Sequence, residues 1–308
     1  MCGLFGMLLP HRYPTHLLRR DAALAFLGVL AEERGRHGAG IAALLPTTPD
    51  GGWAVKRHPG TFTQLMGPRR LRGLVDATAA IGHTRWATQG AINLANTSPL
   101  QASSLLGTHN GDLDTDTIRY APAQADQSWG PDPSWTDSRV LYAALATAHT
   151  QGRVNTRRLT NILTGMRGRA ALVWTDTADT TTRGRARVWL ARAGLSPLAI
   201  AHDVDGGLWW ASNPQWLRRL SATFDLPLRR IELLPEGVLM SARPQQQRVK
   251  MTVHARFKPT VRDHDLRLVR AAVWRNFTDA DRRDDGAVMR HRVVGAGLHT
   301  APTLPSLV

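Results

Sequence analysis

The residue with the clearest chemical potential is Cys2, the single cysteine of the chain, which directly follows Met1. Removal of Met1 would place a thiol and a free α-amine on the same residue. An α-amine has a pKa of about 8, so its neutral form can act as a general base for the thiol. The simpler interpretation is a buried structural cysteine that begins a strand. Gly3 and Gly6 favour the chemical role, because glycine lets backbone and substrate approach closely.

Two later segments carry polar residues in arrangements that suit an active site. Arg85 and Trp86 adjoin at a predicted strand end, where a guanidinium can bind a carboxylate and an indole can cover the ligand. A surface salt bridge and a core tryptophan are the simpler roles for this pair. Asn110-Gly111 is first of all a turn signal, but it also offers an amide side chain and a backbone N–H, as an oxyanion hole requires. Asp137 precedes a predicted helix, where capping is the simpler role.

Length and composition place the chain among folded globular proteins. It has 308 residues, of which 43% are hydrophobic and 20% charged, and this excludes a wholly disordered or fibrous protein. A single cysteine excludes an intrachain disulfide and a cysteine-rich metal cluster. The apolar stretch 22–31 is about half as long as a membrane span, and we find no secretory signal. We therefore expect a cytoplasmic protein with no membrane partner.

The net charge of +15 is a weak indication of nucleic-acid binding. Of the 39 basic residues, 36 are Arg, whereas phosphate-binding patches usually mix Arg with Lys. This bias is typical of a GC-rich genome. We therefore consider nucleic acid an unlikely partner, although residues 246–308 hold 12 basic residues against 6 acidic ones.

The pattern of apolar residues predicts many short strands and few helices. Such a mixture predicts two sheets sandwiched between helices. The predicted strands span 2–9, 38–45, 53–57, 79–87, 103–113, 170–175, 186–191, 198–201, 208–211 and 237–242, and the predicted helices 17–34, 136–149 and a short one that begins at Pro214.

A change in composition divides the chain into a domain and an extension. Residues 1–245 carry the periodic apolar pattern, and residues 114–134 within them are predicted to form a loop. Residues 246–308 are polar and rich in Arg with little periodicity. We interpret them as a basic C-terminal extension that is partly disordered, above all in its last ten residues.

Taken together and in this order, the segments resemble the glutaminase domain of class II glutamine amidotransferases, which are N-terminal nucleophile hydrolases. The resemblance covers residues 2 to about 242, and GHTRWATQG is similar to the version in glucosamine-6-phosphate synthases. The motifs that carry it are MCGLFG, RGRHGAG, GHTRWATQG, HNGDL, TDS, RAGLSPLAI, ASNP and LLPEGVLM.

The resemblance implies an α+β fold, a four-layer αββα sandwich of two mainly antiparallel sheets, and a role for each matching residue. It implies no metal and no cofactor. The implied roles are Cys2 as nucleophile with its own α-amine as base, Asn110 side chain and Gly111 N–H as oxyanion hole, Arg85 for the α-carboxylate of L-glutamine, Asp137 for its α-ammonium, and Trp86 and Thr88 as pocket walls.

The sequence also departs from the family pattern. Gln89 stands where the family often has His, and Arg139 stands where it often has Glu, close enough to Asp137 to alter the ammonium site or a domain contact. No synthase signature follows the glutaminase motifs. We therefore expect a free-standing glutaminase that supplies ammonia to a separate synthase. The alternatives are a hydrolase of another γ-glutamyl amide and a catalytically idle module that binds a partner or nucleic acid.

Overall fold

The computed structural model describes residues 1–14, 19–45, 52–67, 72–118, 135–179, 186–268, 274 and 276–285. The strands, in chain order, are β1 (Gly3–Leu8), β2 (Ala39–Leu44), β3 (Trp53–His58), β4 (Ala79–Thr84), β5 (Leu100–Ala102), β6 (Leu105–Leu113), β7 (His149–Thr150), β8 (Arg153–Val154), β9 (Gly168–Asp176), β10 (Val188–Ala193), β11 (Ala199–Asp203), β12 (Leu208–Ala211), β13 (Leu228–Leu233), β14 (Val238–Pro244) and β15 (Val249–Arg256). The helices are α1 (Arg20–Ala31), α2 (Phe62–Met66), α3 (Asp137–Ala146), α4 (Thr156–Gly165), α5 (Pro214–Thr223), α6 (Asp263–Leu268) and α7 (Asp279–Asp284).

The strands form two large sheets in which every neighbouring pair is antiparallel. The first sheet has seven strands in the order β13-β11-β12-β1-β4-β2-β3. The second has six in the order β15-β14-β10-β9-β6-β5. β7 and β8 form a separate small hairpin.

Three apolar clusters stack these elements in four layers. The cluster between the two sheets includes Leu4, Leu8, Ile81, Val173 and Leu190. The cluster on the outer face of the first sheet includes Phe5, Leu24, Phe62 and Leu217, and the one on the outer face of the second sheet includes Leu141, Leu159 and Leu172. Alternate residues of β1 thus serve two different cores, which explains its continuous apolar sequence. The predicted αββα sandwich of two mainly antiparallel sheets is confirmed.

Local sequence signals explain where the helices next to the site begin. Thr136 caps α3, since its hydroxyl accepts a hydrogen bond from the backbone N–H of Arg139. Asn213 caps α5 in the same way, and Pro214 occupies the first turn, where no intrahelical donor is needed. The segment predicted as a helix over 17–34 is helical over Arg20–Ala31, and residues 15–18 lie outside the described residues.

The described residues of the C-terminal segment, 249–268, 274 and 276–285, pack on the sandwich. Its first part, β15, pairs with β14, so the predicted boundary at residue 245 falls in the turn of a hairpin. Farther on, Asp285 accepts two hydrogen bonds from Arg192 at 3.0 and 2.8 Å, and both side chains are buried. Trp274 and Phe277 are buried against Leu195. The last ten residues, which we expected to be disordered, lie outside the described residues.

Across the part of the chain that the structure describes, no helix has the length and apolar character needed to cross a membrane.

Candidate active site

The site lies where the ends of β1, β4 and β6 meet. The register of β1 and β4 pairs Gly3 with Thr84, so Cys2 and Arg85 lie side by side just beyond the paired strands. The thiol of Cys2 is held by the backbone of Trp86, whose N–H lies 3.4 Å and whose carbonyl oxygen lies 3.7 Å from Sγ. The strand register alone therefore brings the predicted nucleophile against the Arg-Trp pair.

A hydrogen bond between two histidines joins this end of the first sheet to the second. Nε2 of His83 in β4 lies 3.0 Å from the carbonyl oxygen of His109 in β6, so Nε2 carries the proton. Burial lowers the pKa of His83 to about 3, and burial also lowers the pKa of His109. Both rings are therefore neutral at pH 7 and serve as fixed hydrogen-bonding groups rather than charges.

Burial also controls the protonation of the chain terminus. It raises the pKa of the Cys2 thiol, and the nearby N-terminal amine and the Trp86 backbone offset part of this rise. Burial lowers the pKa of the N-terminal amine, which is on Met1, to about 6, and the charge of Arg34 adds to the effect. Arg34 is itself anchored here, since its Nε donates to the carbonyl oxygen of Cys2 at 3.0 Å. Burial thus favours the neutral form of the Met1 amine and the protonated form of the Cys2 thiol. The nitrogen of Cys2 is an amide here and becomes an amine only when Met1 is removed.

The predicted oxyanion pair lies on β6, with one member in the cavity wall. Gly111 lines the cavity, and a Cβ at this position would collide with the carbonyl oxygen of Arg169. Asn110 is buried beside it, and its Nδ2 lies 3.4 Å from Oγ of Ser212. Oδ1 of Asn110 is buried and has no hydrogen-bond partner among the described residues. The side chain of Asn110 is therefore held by one hydrogen bond that is longer than the usual range of about 2.7–3.2 Å.

Arg85 shapes the loop formed by residues 85–91. Its guanidinium donates to the carbonyl oxygens of Ala91 at 2.9 Å and Gln89 at 2.6 Å. The following residue, Trp86, is half-exposed, and its ring lies 4.9 Å from the ring of His37. The buried guanidinium of Arg85 thus holds a loop that carries a half-exposed indole, which is able to cover a ligand.

Asp137 is more than a helix cap, because Thr136 already caps α3. Its Oδ2 accepts a hydrogen bond from the N–H of Leu113 at 3.0 Å, and its Oδ1 accepts one from the N–H of Ser138 at 2.7 Å. Oδ2 also lies 3.9 Å from Nδ1 of His109. The carboxylate is buried at the cavity wall opposite Arg85, and two backbone donors fix its orientation.

One cavity joins most of the predicted residues. The empty space between its lining residues is about 350 Å³, part of which is open to solvent. Six predicted site residues line it, and Asn110 lies directly behind Gly111. The lining is Cys2, His83, Arg85, Trp86, Thr88, Gln89, Asn96, Ser98, His109, Gly111, Thr136, Asp137 and Ser138.

Several residues that line the cavity were not predicted as site residues, and the sequence marks them to different degrees. His83 and His109 lie inside the recognised motifs, so their positions were already marked. Asn96 and Ser98 follow the motif and are placed only by the tertiary fold. Arg139, by contrast, lies outside the cavity wall, with its guanidinium 4.7 Å from the centre of the Trp135 ring.

One group of potential metal ligands lies next to the site. Asp112, His264 and Asp265 have ligand atoms within 4.8 Å of one another. Arg262 donates to both of these carboxylates at 2.6 to 3.0 Å, so a guanidinium already supplies the positive charge there. The donor set is therefore that of an ion-pair network.

Comparison with known proteins agrees with the fold and the motifs, although no family model matches the chain. The chain is 29% identical over 157 residues to an amidophosphoribosyltransferase from Synechocystis, covering 49% of this chain and 29% of that protein. It is 33% identical over 150 residues to a glutamine–fructose-6-phosphate aminotransferase from Streptomyces coelicolor, covering 47% and 22%. It is 30% identical over 184 residues to the enzyme of that name from Geobacillus kaustophilus, covering 59% and 28%.

Solved structures show the same fold over most of the chain. The glutamine phosphoribosylpyrophosphate amidotransferase of B. subtilis superimposes with a TM-score of 0.56 at 21% identity, covering 82% of this chain and 49% of that one. A structure of the allosteric regulatory enzyme of purine biosynthesis superimposes with a TM-score of 0.59 at 20% identity, covering 86% and 52%.

The fold is that of the N-terminal nucleophile hydrolases. Within this class, the chain is a homologue of the class II glutamine amidotransferases, as its motifs indicated. The matches span between 22% and 29% of the curated relatives' own length.

Proposed function

We propose that the protein hydrolyses the side-chain amide of L-glutamine through a thioester on Cys2 and supplies the ammonia to a synthase. The observation that carries this proposal is the single cavity that contains Cys2, Arg85, Gly111 and Asp137. A thiol, a cation, an anion and a backbone donor are the four groups that such a reaction needs. Each of them reaches the cavity from a different part of the sequence.

The charged pair would bind the amino-acid end of glutamine. Arg85 would bind the α-carboxylate, and Asp137 would bind the α-ammonium through the face that its two backbone donors leave open. With that end fixed, the side-chain amide points towards Cys2. Such orientation turns binding energy into rate, because the amide carbonyl is held near the attacking sulfur.

The reaction would proceed in two steps. The α-amine of Cys2 takes the thiol proton as sulfur adds to the amide carbonyl, and the N–H of Gly111 and Nδ2 of Asn110 stabilise the oxyanion. The intermediate collapses with loss of the C–N bond, and the amine returns the proton so that ammonia leaves. Water then attacks the γ-glutamyl thioester, which releases glutamate and regenerates the thiol.

This mechanism requires that the active protein begin at Cys2, since only then is the α-amine of that residue free. Intact-mass measurement of active protein tests this step. Active protein that retains Met1 would contradict an α-amine base.

We further propose that the ammonia acceptor is a synthase on a separate chain. The described residues of the C-terminal segment add a strand and two short helices to the sandwich. The relatives are named as an amidophosphoribosyltransferase and as glutamine–fructose-6-phosphate aminotransferases. Neither acceptor is assigned to this chain.

Ammonia release is the direct test. The purified chain should release ammonia from L-glutamine, and Cys2→Ala should release none while keeping the same thermal unfolding midpoint. A panel of other γ-glutamyl amides separates a glutaminase from a hydrolase of a different amide. Equal rates for every amide, or no turnover of any, would contradict the proposal.

A further inference from the structure

A network of charged side chains connects the C-terminal segment to the wall of the site. Arg262, just before α6, donates through Nη2 to Oδ2 of Asp112 at 2.6 Å and to its carbonyl oxygen at 2.8 Å. Its Nε donates to Oδ2 of Asp265 at 2.7 Å. Asp265 is fully buried, and its Oδ1 accepts a hydrogen bond from Nε of Arg169 at 2.9 Å. Two guanidinium groups and two carboxylates therefore neutralise one another directly behind Gly111.

The second oxygen of Asp112 reaches the loop that Arg85 shapes. Oδ1 of Asp112 accepts a hydrogen bond from Nε2 of Gln89 at 2.8 Å. The carbonyl oxygen of Gln89 accepts one from Nη2 of Arg85 at 2.6 Å. Gln89 is exposed, so packing does not fix its side chain. These two hydrogen bonds hold Gln89 instead: one is accepted by its main-chain carbonyl oxygen, and the other is donated by its side-chain amide.

We propose that Asp112 is a positioning residue that holds the loop 85–91 in its glutamine-binding shape, and that Arg262 of the C-terminal segment holds Asp112 in turn. This inference rests on the proposed function. The loop supplies four lining residues of the cavity, Arg85, Trp86, Thr88 and Gln89. A loop already fixed in its binding conformation does not lose conformational freedom when the substrate binds, so the connection strengthens binding. The carboxylate of Asp112 does not line the cavity and takes no part in bond making.

Glutamine affinity in a background without turnover isolates this effect. In full-length Cys2→Ala protein, adding Arg262→Gln should raise the Kd for L-glutamine by about tenfold, the loss expected for one hydrogen bond to a charged group. Asp112→Asn breaks the same connection at its centre, and Asp112 lines no part of the cavity. The two substitutions together should raise Kd no more than the larger single effect. In the Cys2 enzyme the same changes should raise KM and leave kcat within about twofold.

Arg218→Gln is the matched control. Arg218 forms an equivalent ion pair with Asp281 at the far end of the C-terminal segment, and it lines no part of the cavity. It should leave Kd within about twofold of the parent. Unchanged affinity in both Arg262→Gln and Asp112→Asn would overturn the proposal, as would effects that simply multiply in the double variant. A Cys2→Ala parent that binds no glutamine would overturn the proposed function itself, and with it this inference.

Discussion

The buried ion pair between Arg192 and Asp285 gives a sharp test of whether the C-terminal segment belongs to the folded domain. Both side chains are 1% exposed, and Asp285 also accepts a hydrogen bond from the indole N–H of Trp274 at 2.8 Å. Asp285→Asn preserves the shape of the side chain but leaves the guanidinium of Arg192 buried without its counter-charge. Breaking a buried pair in this way costs about 3–5 kcal/mol of unfolding free energy.

That cost should be visible as a large shift of the thermal midpoint. At about 2–4 °C per kcal/mol for a chain of this size, Asp285→Asn should lower Tm by roughly 6–20 °C. Tryptophan fluorescence is a suitable signal, because Trp274 contacts the substituted residue. Asp279→Asn is the control: its pair with Arg282 lies in the same segment, but the two side chains are 60% and 32% exposed. Exposed pairs contribute about 1 kcal/mol or less.

The comparison between the two variants decides the question. If Asp285→Asn lowered Tm no more than Asp279→Asn, the C-terminal segment would not be anchored through Arg192. Residues 276–285 would then contribute little to the stability of the folded domain. If the large shift is found, truncation after Arg243 should yield an unstable protein.

Three further predictions concern the chemistry. Cys2→Ser should be close to inactive, since a hydroxyl is a far weaker nucleophile than a thiol at neutral pH, and an ammonia assay with wild-type turnover in this variant would exclude thioester chemistry. Asn110→Ala should lower kcat by about a hundredfold with a smaller change in KM. The reason is that an oxyanion donor contributes on the order of 3 kcal/mol, mainly in the transition state. If steady-state kinetics showed a raised KM and an unchanged kcat, Asn110 would be a residue that only positions substrate. Arg85→Lys and Asp137→Asn should each raise the KM for glutamine strongly. Asp137→Asn should also narrow the difference in kcat/KM between glutamine and its analogue without the α-amine. Equal kcat/KM for both compounds in the unmodified enzyme would contradict the ammonium role of Asp137.

The order of motifs predicted the architecture because it marks the buried strands. β1, β4 and β6 carry continuous apolar or motif residues. β1 and β4 lie in the middle of the first sheet, and β6 lies between β9 and the edge strand β5 of the second. β13 and β15 were not predicted. Both are edge strands in which nearly all residues are exposed or half-buried. Their sequences are therefore as polar as those of loops, and apolar patterning does not reveal them.

The site was predictable where a motif is continuous in the sequence and not where it depends on distant contacts. Arg85 and Asp137 stand in short segments with recognisable neighbours. Ser212 and Arg262 contact Asn110 and Asp112 only because the chain folds back over more than a hundred residues. Ser212 lies in the ASNP motif, whereas nothing in the local sequence marks Arg262. The C-terminal segment escaped prediction for a similar reason. Arg–Asp ion pairs attach this segment to the sandwich, and from composition alone such residues are expected to be charged residues at the surface.

The side chain of Met1 packs against the cluster of Leu195, Trp274 and Phe277, and Nη2 of Arg34 lies 3.5 Å from its sulfur. Met1 is half-buried in the folded chain. During synthesis at about 5–20 residues per second, the first residue is available for tens of seconds before Trp274 is made. On the proposed mechanism, a chain trimmed in that interval would fold with a free α-amine on Cys2, whereas a chain that keeps Met1 would lack this base.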